Sequence, residues 1–141
     1  ELIEQVQQDL YLLMAELATP PSGRHQFEYQ VPQAKVEELE RWIDELQQEV
    51  KLENKFILPG ATTVSAALDL ARTIVRRAER PVAKLIHERQ VENEVVLSYL
   101  NRLSSFLFVL ARYAEATAQA APVFAERPKR SRRRERADSA G

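Results

Sequence analysis

The sequence contains no cysteine. Disulfides, a thiolate nucleophile and a cysteine-built zinc site are excluded, and such a chain suits a reducing, cytoplasmic compartment. It contains three glycines, none arranged as a Walker-type phosphate loop. Its two histidines, His25 and His87, lie outside any Glu-x-x-His pattern, so a di-iron bundle lacks its ligands and no metal centre is expected. No alternation of apolar and polar residues marks a strand. The most apolar stretch, residues 95–111, is interrupted by Asn101 and Arg102. No membrane span is therefore expected, and no signal peptide is visible.

What the sequence does contain is helical rhythm. At 141 residues one domain with a modest core is expected. Leu2, Val6, Leu10, Leu13 and Leu17 recur at three-four spacing, predicting a helix over 1–18 that stops before Pro20-Pro21-Ser22-Gly23. It starts uncapped at residue 1, so further residues are expected upstream. Residues 24–31 read as a connection. Val36, Leu39, Ile43, Leu46 and Val50, with Trp42 beside them as packing, predict a second helix over 32–52. After the apolar loop "KFILPG", Thr62 or Thr63 caps a third helix reaching residue 88, with a kink or an end at Pro81. Val96, Tyr99, Leu100, Leu103, Leu107, Leu110 and Ala114 predict a fourth over 92–118. The reading is all-α, an antiparallel helical bundle.

Charge is unevenly spread. Residues 126–138 carry seven Lys/Arg against three Asp/Glu, whereas the whole chain has a formal net charge of −1. The division expected is a bundle domain over 1–121 and a basic, disordered tail over 122–141. No aromatic is interleaved with the tail arginines, so it lacks a base-stacking platform. It reads as a solubilising extension, with neither nucleic acid nor membrane as a partner.

The third helix holds the anomaly. In "ARTIVRRAER", Arg72, Arg76 and Arg80 are spaced by four, where like charges oppose helix formation by a few tenths of a kcal/mol per pair, roughly. On a helical wheel Val64, Ala67, Leu68, Ala71, Val75, Ala78 and Val82 form the buried stripe, and the arginines border it. Glu79 projects where it can orient Arg72 and Arg76. Arg77 turns away. Asn101, Ser105 and Arg112 form a polar row on the fourth helix, with Phe108 on the same face. Two polar rows on consecutive helices predict a cleft for a polyanion, most simply a nucleotide triphosphate.

Two blocks carry a family resemblance: "FILPGATTVSAALDLARTIVRRAER" (56–80) and "YLNRLSSFLFVLARYAE" (99–115). With the weaker "VQQDLYLLMAELATP" and "KVEELERWIDELQQEV", the chain from 1 to 118 resembles the ATP:cob(I)alamin adenosyltransferases of the propanediol-utilisation type. The resemblance implies a five-helix bundle assembled as a homotrimer, with active sites between subunits. It implies transfer of the 5′-deoxyadenosyl group of ATP to the cobalt of cob(I)alamin, with Mg²⁺, releasing triphosphate. Position by position, Arg76 and Arg80 match the arginines that hold the phosphates. Glu79 matches the carboxylate that contacts nucleotide and arginines, and Asn101 an asparagine on the nucleotide. No protein nucleophile is implied. Phe108, Ser105 and Arg112 are the residues expected near the corrinoid.

The chain departs from the family pattern. The family's glycine- and threonine-rich N-terminal loop and first helix have no counterpart in these 141 residues. Ser105 stands where the family usually has Asp, and Ala61 where a second glycine is usual after "LPG". A divergent member that binds nucleotide or corrinoid without catalysis, or only assembles, is the alternative.

Overall fold

The computed structural model describes residues 1–20 and 29–126. His25, most of the 24–31 connection and the basic run from residue 127 onward lie outside the described residues. Four helices follow in order: α1 (Leu2–Ala18), α2 (Gln33–Glu49), α3 (Thr63–His87) and α4 (Val95–Thr117). All four expected helices are present and no strand is formed among the described residues, so the all-α expectation holds. α3 does not end at Pro81; it runs on to His87.

Local chemistry sets the helix ends. Thr62 Oγ1 accepts from the Ser65 backbone N–H, and Ser65 Oγ accepts from the Thr62 N–H, both at 3.0 Å. This reciprocal capping box starts α3. Gly60, at φ 93°, turns the chain into it, a conformation that glycine adopts without a Cβ clash. α3 and α4 close alike. Arg89 (φ 57°) and Gln119 (φ 54°) take the left-handed C′ position. Gln90 then donates to the Leu85 carbonyl and Ala120 to that of Glu115, both at 2.9 Å. These are Schellman closures made without glycine.

α4 is the central helix. Val96, Tyr99, Leu100, Leu103, Phe106, Leu107, Val109 and Ala111 are all buried. α2 adds Val36, Leu39, Trp42 and Ile43, and α1 adds Val6 and Leu13. Trp42 packs as expected, its ring centroid 5.6 Å from that of Phe106. By length and composition alone α4 could cross a membrane, but 56% of its most apolar window is buried inside the bundle. Its apolar character is what a helix surrounded by other helices needs.

α3 is less covered than the wheel implied. Of its expected stripe only Val75 and Val82 are buried, and Val64 is 60% exposed, as are Leu70 (62%) and Ile74 (52%) outside that stripe. A wheel tells which residues share a face, not whether another element covers it.

Two polar contacts pin the helices. The buried Asp9 carboxylate accepts from Tyr99 Oη at 3.1 Å and Gln5 Nε2 at 3.0 Å, and pairs with Lys35 Nζ at 3.1 Å. Three helices thus meet at one carboxylate. Burial, then the neighbouring Asp9 charge, pushes the Tyr99 phenol well above its ordinary pKa, so Tyr99 is a donor here. Burial opposes the charge of Lys35, yet hydrogen bonds to Glu38 and Asp9 outweigh it and raise the pKa. Near the other end Glu16 accepts from the Val31 N–H (2.7 Å) and from Asn93 Nδ2 (2.8 Å).

The start of the expected tail is attached to the bundle. Leu58 N–H donates to the Val123 carbonyl at 2.7 Å, and Ala125 N–H to that of Phe56 at 2.8 Å. Ile57 and Phe124 face each other as one antiparallel bridge. Lys55 Nζ lies 4.8 Å from the Phe124 ring centroid. Residues 122–126 therefore brace the apolar loop. A two-residue pairing has no periodicity, so the sequence carried no sign of it.

Candidate functional site

The exposed edge of α3 and the facing side of α4 enclose three adjoining cavities. The largest, about 630 Å³, is lined by Glu79 and Arg80 from α3, Asn101 and Arg102 from α4, and Gln33 and Glu40 from α2. The second, about 360 Å³, shares Asn101 and Arg102 and adds Arg72, Arg76, Ser105 and Phe108. The third, about 390 Å³, shares Arg72 and Phe108. It adds Ile57, Pro59 and Gly60 from the braced loop, with Asp69 and Arg112.

The structure thus brings Arg72, Arg76, Glu79, Arg80, Asn101, Ser105 and Phe108 around one continuous region. Arg76 and Arg80 are exposed and Arg72 is half-buried. Among the described residues no carboxylate lies within 4.0 Å of these guanidinium groups, because each ion pair formed involves other residues. The bonds expected from Glu79 to Arg72 or Arg76 are therefore not made. Glu79 lines the cavity of Arg80, while Arg76 lies in the next one. Its Oε1 is buried and has no hydrogen-bond partner. A buried acceptor without a donor costs about 1–3 kcal/mol. Its presence beside unpaired cations describes a site that a ligand with both anionic oxygens and hydroxyl donors completes.

The asparagine is set for donation. Asn101 Oδ1 accepts from Arg102 Nη2 at 2.9 Å, which occupies the acceptor end of the amide and leaves the donors. Ser105, where the resembled family usually has Asp, holds its Oγ 3.5 Å from the Asn101 carbonyl of its own helix, a weak back-bond. It brings no charge to the cavity.

Arg112, expected near the corrinoid, lines the third cavity and is tied to protein carboxylates. It is buried, 4% exposed. Its Nη2 donates to Asp69 Oδ2 at 2.6 Å and Glu115 Oε1 at 3.1 Å. Its Nε lies 2.9 Å from Glu115 Oε2 without the angle of a hydrogen bond. One guanidinium between two carboxylates joins α3 to α4. Beside it the Phe108 ring has the Arg112 guanidinium carbon 5.2 Å and that of Arg72 5.6 Å from its centroid, both within cation–π reach. Arg77 is exposed and lines none of these three cavities. Of the nearby phenylalanines on α4 and the apolar loop, Phe106 is fully buried in the core and Phe56 is 88% exposed.

Sequence reasoning missed Arg102, Asp69, Gln33 and Glu40 as wall residues. Arg102 was available in the "NRLSS" block, next to Asn101. Asp69 was available as the acid one turn before Arg72. Gln33 and Glu40 carried no signal, since they come from α2 and reach the cavity only through packing.

Residues 1–114 match the cobalamin adenosyltransferase family. A corrinoid adenosyltransferase of Mycobacterium leprae is 38% identical over 120 residues, covering 81% of this chain and 62% of that protein. The corrinoid adenosyltransferase PduO of Salmonella typhimurium is 36% identical over 132 residues, covering 92% and 38%. This chain thus spans between 38% and 62% of the length of these two relatives. Among solved structures, a variant PduO-type ATP:corrinoid adenosyltransferase from Lactobacillus reuteri, complexed with cobalamin and ATP, is 42% identical. It superposes with a TM-score of 0.78 over 88% of this chain and 68% of that one. A second variant of that enzyme, complexed with ATP, gives a TM-score of 0.77 at 41% identity over 87% of this chain and 68% of that one. The chain belongs to the cobalamin adenosyltransferase family.

Proposed function

We propose that the protein is an ATP:corrinoid adenosyltransferase, transferring the 5′-deoxyadenosyl group of ATP to the cobalt of cob(I)alamin. The observation that carries this reading is the set Arg72, Arg76 and Arg80, unpaired with any described carboxylate, beside the partnerless buried oxygen of Glu79. The solved relative complexed with cobalamin and ATP supports the choice of substrates.

On this reading the triphosphate lies along Arg76 and Arg80. Glu79 accepts from a ribose hydroxyl, and Asn101 donates to the nucleotide. Cobalt(I) supplies an electron pair to C5′, the C5′–O bond breaks, and triphosphate leaves with that bond's pair. The protein need not supply a nucleophile. Its work is orientation and stabilisation of charge on the leaving group. Among the described residues no three carboxylate or histidine side chains gather to hold a metal. Mg²⁺ on this reading arrives on ATP, held mainly by phosphate oxygens. The apolar cavity beside Phe108, at about 390 Å³, takes one edge of the corrinoid, with the exposed Phe56 on the adjoining loop.

The proposal includes a homotrimer, supported by the exposed apolar side chains Val64, Leu70 and Ile74 on α3, more than a lone helix face normally leaves uncovered. Light scattering on the purified protein tests it: a mass three times the 16.2 kDa chain is expected. Cytoplasmic location is also part of the proposal, because cob(I)alamin is a strong reductant and persists only where oxidants are kept low. Cell fractionation tests it. For the activity itself, reduced cobalamin and ATP are mixed with protein. Appearance of the adenosylcobalamin spectrum with equimolar triphosphate is expected; no product under anaerobic, reducing conditions refutes the reading.

A second reading is favoured by Ser105. Its hydroxyl leans on its own helix where the resembled pattern has a carboxylate. A member that binds ATP and corrinoid without turning them over would show saturable binding of both and no product.

A further inference from the structure

Two of the three cavities share two lining side chains. Arg72 and Phe108 line both the cavity of about 360 Å³ and that of about 390 Å³, so together they are the partition. On one side lie Arg76, Asn101 and Ser105. On the other lie Ile57, Pro59, Gly60 and Leu70, together with Asp69 and Arg112. One wall is polar and cationic, the other largely apolar.

Such a partition needs an anchor. Phe108 and Arg72 are both half-buried, and Arg72 has no described carboxylate to hold it. Arg112 supplies the fixed point. It lies one turn beyond Phe108 on α4, with its guanidinium 5.2 Å from the ring centroid. Asp69 of α3 and Glu115 of α4 hold it by the 2.6 and 3.1 Å bonds described above. A planar guanidinium shared between two carboxylates has little rotational freedom. Its Nη2 donates to both carboxylates, which ties the guanidinium to the protein.

We infer that Asp69, Arg112 and Glu115 form a positioning clamp that fixes the Phe108–Arg72 partition between the polar and the apolar cavity. Arg112 lines the apolar cavity itself, and on this inference its effect on the ligand there runs through the position of the Phe108 ring. The kinetic consequence rests on the adenosyltransferase reading; the position of the ring does not. In that reading C5′ and cobalt approach across this partition, and transfer demands that the reacting atoms be held near van der Waals contact. A wandering ring on that boundary would lower both corrinoid affinity and rate.

The test uses the full chain labelled with 4-fluorophenylalanine, its Phe108 fluorine resonance assigned by loss in Phe108→Leu. Asp69→Asn removes one charge of the clamp and keeps an acceptor oxygen, so folding is retained. Arg112→Lys keeps the charge and loses the fork. In both, the Phe108 resonance is expected to shift or broaden while that of Phe106, two residues away in the core, stays in place. In kinetics the KM for corrinoid is expected to rise roughly three- to thirty-fold, the range of a cation–π contact. The KM for ATP stays within twofold. In a Phe108→Ala background, Asp69→Asn should change the corrinoid KM no further. An unmoved Phe108 resonance overturns the clamp. So does a Phe106 resonance that moves with it, an equal rise in both KM values, or an undiminished effect of Asp69→Asn without the ring. If Arg112→Lys does not fold, Asp69→Asn decides alone. If the parent protein has no turnover, the function reading falls and the fluorine response still decides the clamp.

Discussion

Replacing Arg112 by methionine removes one cation from between two carboxylates. Asp69 and Glu115 have side-chain exposures of 13% and 3%, so water cannot solvate the charges left behind. Breaking a buried ion pair by deleting one partner costs about 3–5 kcal/mol. Here two carboxylates lose the same partner, which puts the expectation at the upper end of that range. A domain of this size has only about 5–15 kcal/mol of stability. The corresponding fall in melting temperature is roughly 10–20 °C. The comparison that makes the argument sharp is the triple variant Asp69→Leu/Arg112→Met/Glu115→Leu. It removes every charge together, and apolar replacement of a whole buried ion cluster is often neutral or stabilising by about 1–4 kcal/mol. Urea unfolding followed by helical circular dichroism measures both proteins. The single variant should be much less stable than the parent, and the triple should recover most of the loss. A single variant costing under about 1 kcal/mol, or a triple as damaged as the single, would show that the clamp charges are solvated and the reasoning mistaken.

The remaining expectations concern the arginine stripe, the network at Asp9 and the capping box. Arg76→Ala and Arg80→Ala should each lower kcat/KM by about 10²–10³, the size of one lost charge-stabilising contact, whereas exposed Arg77→Ala should change it by less than about threefold; equal losses at all three would remove the assignment. Tyr99 and Lys35 both have raised pKa values in the folded protein. Above their ordinary values of 10.0 and 10.5 the unfolded chain releases protons that the folded chain keeps. Stability is therefore full below that range and falls as pH rises through it. Denaturation at pH 8 and 11 should show this loss, and Tyr99→Phe should shrink it; a flat profile would contradict the sign. Thr62→Ala deletes one half of the capping box and should cost about 1 kcal/mol of stability, read as a lower urea midpoint. No change in midpoint would mean that Ser65 alone starts α3.

Helices were legible because their signal is local. Three-four spacing of apolar residues marks each one, and Thr62 marks the start of α3 within a residue. The arginine stripe was legible for the same reason, since residues 72, 76 and 80 must share a face of any helix. Coverage was not legible. Val64 and Val75 belong to one wheel sector, yet Val64 is 60% exposed and Val75 is 9% exposed. That difference arises from tertiary packing, which a wheel does not record. Glu79 was expected to join Arg72 and Arg76 on the same grounds, and the helix instead turns it toward the cavity of Arg80.

From the sequence alone came the all-α class, the four helices, the arginine stripe and the family, because these reside in the order of residues along single helices. The tertiary structure decided which polar residues are spent and which are available. Arg112 and Arg76 look equally suited to an anion in the sequence. Packing brings Asp69 from 43 residues away to Arg112 and brings no described carboxylate to Arg76. It also pairs Phe56–Leu58 with Val123–Ala125 and makes Phe108 a wall between two cavities. These are contacts across large sequence separations, where no periodicity records the partner and only the packed fold can choose it.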